Sequence, residues 1–264
     1  MDDVNVPQVG RWVSETAGIA GGAIAGGLVA GPVGAAGGAV IGEVLKTTLG
    51  EMADQMLSRG EVRRTNKLAA LAESEIQYQL DHGRPLRSDG FFDTEQDDRS
   101  TAEELFEGVF LAAQREHEEK KIALIAKMLA RFAFTPSLDR AECNLLTRLA
   151  ERLSYRQLCL LGLFNLNNRG MYELRNDPTG DPWNLQDNDP KVSILQEILD
   201  LHRQTLIQQK SLEHSGHDIM PNIFLIAPAR TQVVAGLGGL LTNLMDLATA
   251  IPLHERNEIA ALLR

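Results

Sequence analysis

Residues 16–42 read TAGIAGGAIAGGLVAGPVGAAGGAVIG, an uncharged run in which ten residues are glycine. Two sets keep a four-residue beat: Gly18, Gly22 and Gly26, then Gly34, Gly38 and Gly42. A spacing of four places each set on one face of a helix, leaving a smooth groove where a second backbone can approach closely. Gly31-Pro32 stands between the sets, where a helix breaks or turns. Each interior glycine costs a helix about 1 kcal/mol relative to alanine. Water alone therefore does not favour this segment as a helix. Its stabilisation has to come from a membrane, from a second copy or from a partner groove; the competing readings are a glycine-rich hairpin buried in the protein's own core and a disordered linker.

As one helix the run would reach about 40 Å, against a hydrocarbon core of ~30 Å. It is poor in leucine and phenylalanine, the residues that drive insertion most strongly. This pattern describes a conditional membrane segment rather than a permanent anchor. Split at Gly31-Pro32 it becomes a helical hairpin whose arms reach ~21 Å each, too short to cross alone. Trp12, just ahead of the run, is placed for a membrane interface or for partial packing. The first residues, with Asp2, Asp3 and only Arg11 as an early base, do not read as an export signal.

Beyond Gly42 the pattern turns amphipathic, with Val44, Leu45, Leu49, Met52 and Met56 set against Glu43, Lys46, Glu51 and Asp54. Arg59, Arg63, Arg64 and Lys67 follow. Beside a membrane segment such a cluster stays on the cytoplasmic side and meets anionic lipid; otherwise it is a solvated helix start.

The whole chain has 264 residues, 36 acidic and 26 basic side chains and a formal charge of −10. That balance repels nucleic acid, so DNA and RNA are not expected partners. Abundant leucine and alanine with few aromatics predict a mainly α-helical protein. The two cysteines, Cys143 and Cys159, lie in apolar helical runs and read as reduced core thiols, which fits a cytoplasmic protein.

A helix is expected over 61–82 on the stripe Leu68, Leu71, Ala72, Ile76 and Leu80, followed by a loop over 83–99 that Phe91 and Phe92 pin to the body. Ser100 and Glu103 form a capping box that opens one long helix to about Thr135. Within it QREHEEKK, residues 114–121, reads as a solvated middle with Glu116 and Lys120 at pairing distance. Pro136 ends that helix, and two more are expected over 139–153 and 155–167. Residues 168–190 form a proline-, glycine- and aspartate-rich loop lacking the glycine and glutamate of a calcium-binding hand.

From Lys191 an amphipathic helix runs into Leu206-Ile207-Gln208, with a β-like run at Ile223–Ile226. Thr231 is placed to cap a long helix through Leu247, and Pro252 opens a last one. Gly236, Gly238 and Gly239 read as a close helix-packing site. The domain reading is thus 1–58 glycine-rich, 59–167 helical body, 168–190 loop and 191–264 a small helix–hairpin–helix module.

Phosphate-binding loops, dinucleotide fingerprints and nucleophile elbows are missing from the sequence, so no enzyme and no cofactor are expected. His214 and His217, flanked by Glu213 and Asp218, are the one histidine pair with metal-ligand character, yet they lie in a loop without a supporting helical motif. A solvated insert is the preferred reading. The other histidines, His82, His117, His202 and His254, read as surface positions.

The run from Gly18 to Gly42 resembles the glycine-zipper segments of membrane-inserting proteins and small pore-forming toxins. The resemblance covers about 30 residues and implies oligomerisation through glycine faces in a membrane. The C-terminal order of helix, hairpin and helix resembles the core of a winged-helix module. Its hairpin has almost no arginine or lysine, so the resemblance implies a packing or partner module rather than a DNA reader. Together these readings describe an effector, cytoplasmic until it associates with the inner membrane, of the kind used in toxin or phage-defence systems. Its expected partners are membrane lipid, its own copies and a regulatory protein. The competing expectation is a soluble adaptor whose apolar N-terminal helix docks into a partner.

Overall fold

The computed structural model describes residues 32–53, 58–94, 99–172, 174, 189–209 and 232–263. It is mainly α-helical, with one two-stranded antiparallel sheet among the described residues. Trp12, Gly18, Gly22, Gly26, Gly31, Thr231, the 213–218 histidine insert, Ile223–Ile226 and most of the 168–190 loop lie outside the described residues. The chain forms two compact units, Met1–Arg152 and Leu153–Arg264.

The first unit contains α1 (Pro32–Ala53), α2 (Arg59–Asp81), α3 (Thr101–Arg115), α4 (Lys121–Phe132) and α5 (Arg140–Arg152). Helix α1 begins on Pro32, whose missing N–H and fixed φ suit a first helical position. Both α2 and α3 open with reciprocal capping boxes. Ser58 pairs with Glu61 in the first; in the second Glu103 N–H donates to Ser100 Oγ at 3.1 Å and Ser100 N–H to Glu103 Oε2 at 2.7 Å. Helices α2 and α4 pack along each other, and α3 packs on α1, α2, α4 and α5. The interior they enclose holds Leu68, Phe106, Phe110, Ile122, Met128 and Phe132, all without solvent exposure.

The expected single helix over residues 100–135 is two helices, because the chain bends at 116–120. Neither glycine nor proline marks the bend. Tertiary contacts make it. The Gln114 carbonyl is taken by Arg64, and the Glu116 carboxylate turns back to accept the Glu118 N–H at 2.9 Å. Glu116 also pairs with Lys121 rather than sitting opposite Lys120, and both members of the pair are buried. Lys121 Nζ donates further to the Glu151 carbonyl at 3.0 Å. The segment expected to be solvated thus contains a buried ion pair, which only an extended turn lets close.

Arg87 anchors the loop after α2. Its backbone N–H donates to the Ala133 carbonyl, and its guanidinium reaches the Phe132 and Leu138 carbonyls at 3.3 and 2.9 Å. These carbonyls belong to the end of α4 and the turn that follows, where helical partners run out. Asp89 accepts two further bonds from Arg87, and the Phe91 ring lies 4.2 Å below the guanidinium carbon. Phe91 is buried, as its expected pinning role requires.

The second unit contains α6 (Tyr155–Asn168), α7 (Pro190–Arg203), β1 (Ile207–Gln209), β2 (Gln232–Val234), α8 (Gly236–Leu244), α9 (Leu247–Ala250) and α10 (Leu253–Leu262). Helix α6 is apolar on nearly every side and is surrounded by α7, α8, α9, α10 and β2. In the sheet Ile207 pairs with Val234 and Gln209 with Gln232. The helix expected from Thr231 is therefore replaced by a strand over Gln232–Val234, and α8 starts only at Gly236. It also stops early, at Met245, because Asp246 adopts a left-handed conformation with φ 52°. Two glycines are demanded by this packing. A Cβ on Gly238 would lie 2.2 Å from the Leu206 carbonyl oxygen, and one on Gly162 2.8 Å from that of Leu247.

The docked glycine helix as candidate functional site

Of the two glycine sets, the second is described: Gly34, Gly38 and Gly42 all lie in α1. The helix presents Ile41, Val44, Leu45 and Thr48 inward, each at most 7% exposed, and packs on α3 and α2. Burying three such aliphatic side chains stabilises the docked helix by about 2 kcal/mol each. The Thr48 hydroxyl, which would otherwise be a buried unpaired donor, bonds back to the Val44 carbonyl at 2.8 Å. Glu43 and Lys46 face solvent, and Val40 is 43% exposed.

The glycines contribute little to this contact. A Cβ on Gly38 would make ordinary contact with Leu80 Cδ1 at 3.9 Å, and one on Gly42 would meet nothing within 4 Å. Gly162 and Gly238 are required because backbone crosses them; Gly42 is not. An alanine at Gly42 would fit the docked helix and raise its helical propensity. Among the described residues, the close-approach groove of α1 therefore has no occupant at Gly42.

The basic cluster lies at the start of α2. Arg59, Arg63 and Lys67 are exposed and share one face at four-residue spacing. Arg64 is half-buried. It donates through Nε and Nη2 to the Gln114 carbonyl at 3.1 and 2.5 Å, capping the last turn of α3. Arg63 forms an ion pair with Glu119 in the bend between α3 and α4. Sequence reasoning does not find Gln114 or Glu119 as partners, since they lie about 50 residues away and carry no local signal.

The structure brings Gly38, Gly42 and the four basic residues into one unit and leaves Trp12, Gly18, Gly22 and Gly26 outside description. Among the described residues no helix is long and apolar enough to cross a membrane. The uncharged part of α1, from Pro32 to Gly42, reaches only about 16 Å, roughly half of a hydrocarbon core.

Burial perturbs several titratable groups among the described residues. Burial pushes the Cys143 thiol up to about 11, against a smaller opposing pull from Arg87, so it stays protonated and a poor nucleophile at neutral pH. The Tyr155 hydroxyl is raised by burial and by its contacts with Cys159 and Glu255. His202, expected at the surface, is half-buried, and its imidazole is held below its ordinary range by that burial. Among the described residues no group of His, Cys, Asp and Glu is arranged to hold a metal ion. No protein-family model, curated protein sequence or solved structure matches this chain.

Proposed function

We propose that this protein is a conditional membrane-targeting effector whose helical body stores a glycine-zipper segment until it is released. On release, Gly18, Gly22, Gly26, Gly34, Gly38 and Gly42 of neighbouring copies align, and the assembly perturbs the inner membrane. One observation carries the reading. Helix α1 is held through Ile41, Val44, Leu45 and Thr48, while among the described residues a Cβ on Gly42 would meet no neighbour within 4 Å. A glycine that costs helix stability and serves no packing in one state has a physical reason in a second state, where backbones approach each other. Conditional killing, as by toxins or phage-defence effectors, is the class of activity that suits a stored segment of this kind.

The test is dye release from liposomes containing phosphatidylglycerol. The full chain is expected to release dye, and chains carrying Gly22→Leu with Gly26→Leu, or Gly42→Leu, are expected to stay folded and lose it. Release that is unchanged by both sets of substitutions removes the zipper mechanism. The competing reading is a soluble adaptor whose apolar N-terminal helix docks into a partner. It predicts no release from any vesicle and recovery of a stoichiometric protein partner instead.

A further inference from the structure

Two of the arginines that follow α1, Arg63 and Arg64, already have partners in the first unit. Arg63 pairs with Glu119, and both side chains are well exposed, at 69% and 43%. Arg64, one position on, turns inward to the Gln114 carbonyl at the end of α3. Helix α3 is one of the two helices on which α1 lies. Arg59 and Lys67 continue the exposed basic face on either side of Arg63. The nearby acid on α2, Glu61, is occupied in the capping box with Ser58. A basic face thus sits beside the stored helix, in a chain of net charge −10.

Resting on the membrane reading above, we infer that Arg63 and Arg64 form a latch on the stored helix, and that the phosphates of an anionic membrane surface open it. The outer half is the exposed Arg63–Glu119 pair, which a lipid phosphate replaces at little cost because exposed pairs are weak. The three exposed basic side chains, Arg59, Arg63 and Lys67, each strengthen binding to an anionic surface by about fivefold, so together roughly a hundredfold, far more than one exposed pair resists. With Arg63 drawn off, the half-buried Arg64 guanidinium becomes reachable. Its transfer to phosphate uncaps the end of α3, one of the two helices on which α1 lies, and so loosens the support of α1. Lipid binding and release of α1 are then a single coupled step, and both weaken as salt screens the surface charge.

The experiment uses the full chain with vesicles of phosphatidylcholine alone or with increasing phosphatidylglycerol. Vesicle binding, hydrogen exchange over residues 38–48 and dye release are read in the same samples. Protection of 38–48 is expected to persist with phosphatidylcholine and to fall as phosphatidylglycerol rises. Glu119→Gln, at an exposed position the fold tolerates, removes the competitor for Arg63. It is expected to bind about fivefold more tightly and to lose protection at lower phosphatidylglycerol, while Glu119→Asp restores the wild-type profile. Equal profiles for Glu119→Gln and wild type, or tight binding with 38–48 still protected, overturn the latch. Dye release separates the two claims: release with an unshifted Glu119→Gln profile removes the latch alone, whereas no release at any composition removes the membrane reading and the latch with it.

Discussion

Replacing Gly42 by alanine should make the protein more stable. Gly42 lies inside α1 without the positive φ that would demand glycine, and its missing Cβ would meet nothing within 4 Å. The expected gain is the helix-propensity difference, about 1 kcal/mol at most. For a folding unit of this size that raises the unfolding midpoint by about 2–4 °C. Gly238→Ala supplies the opposite control. There the new Cβ would sit 2.2 Å from the Leu206 carbonyl oxygen and 2.9 Å from its carbonyl carbon, so backbone must move. Overpacking of that kind costs about 1–3 kcal/mol. Scanning calorimetry of the full chain, with one transition followed for each unit, reads both changes. A lower midpoint for Gly42→Ala would mean that the docked fold itself needs that glycine. Gly42 would then give no reason for a second packing state.

Two other substitutions test parts of the fold that sequence alone does not reveal. Lys121→Ala leaves Glu116 buried without its partner and should destabilise the first unit by about 3–5 kcal/mol, whereas Lys121→Met combined with Glu116→Leu should be far milder; urea titration of the three chains measures this. The second unit should lose stability as the pH is lowered through the ordinary histidine range. Burial depresses the folded-state pKa of His202, with Gln232 and the Ile207 backbone opposing more weakly. Between the unfolded and folded values the unfolded chain binds the proton that the native state refuses, so the stability present above that window is lost as pH falls through it. His202→Gln should flatten this slope in thermal unfolding run at a series of pH values, and an unchanged slope would assign it to another group.

The parts of the fold legible in the sequence are those written locally. The Ser100–Glu103 capping box, the stripe from Leu68 to Leu80, the start at Pro32 and the strongly apolar α6 each depend on residues within a few positions of one another. What escapes is set by distant partners. QREHEEKK reads as uninterrupted helix because its breaker is the combination of Arg64, Glu116 and Lys121, not a glycine or proline. The left-handed Asp246 that divides α8 from α9 has no sequence flag beyond its type. At the candidate site the four-residue glycine beat is plain in the sequence. Its meaning changes once Ile41, Val44 and Leu45 are seen to carry the docking and Gly42 to stand free of it. The partners of the arginines, Glu119 and the Gln114 carbonyl, are likewise distant in sequence and carry no local signal.

The claim that α1 leaves the body for a membrane is tested most directly by a fluorophore on its exposed face. Val40 is 43% exposed in the docked helix, while Cys143 and Cys159 form no disulfide and are buried at 0% and 1% exposure. Val40→Cys can therefore be labelled selectively in the native state with an environment-sensitive dye. On adding phosphatidylglycerol vesicles the emission is predicted to shift to the blue and to be quenched by lipids brominated along their acyl chains. Emission that stays water-like, with no quenching at any lipid ratio, would contradict the account.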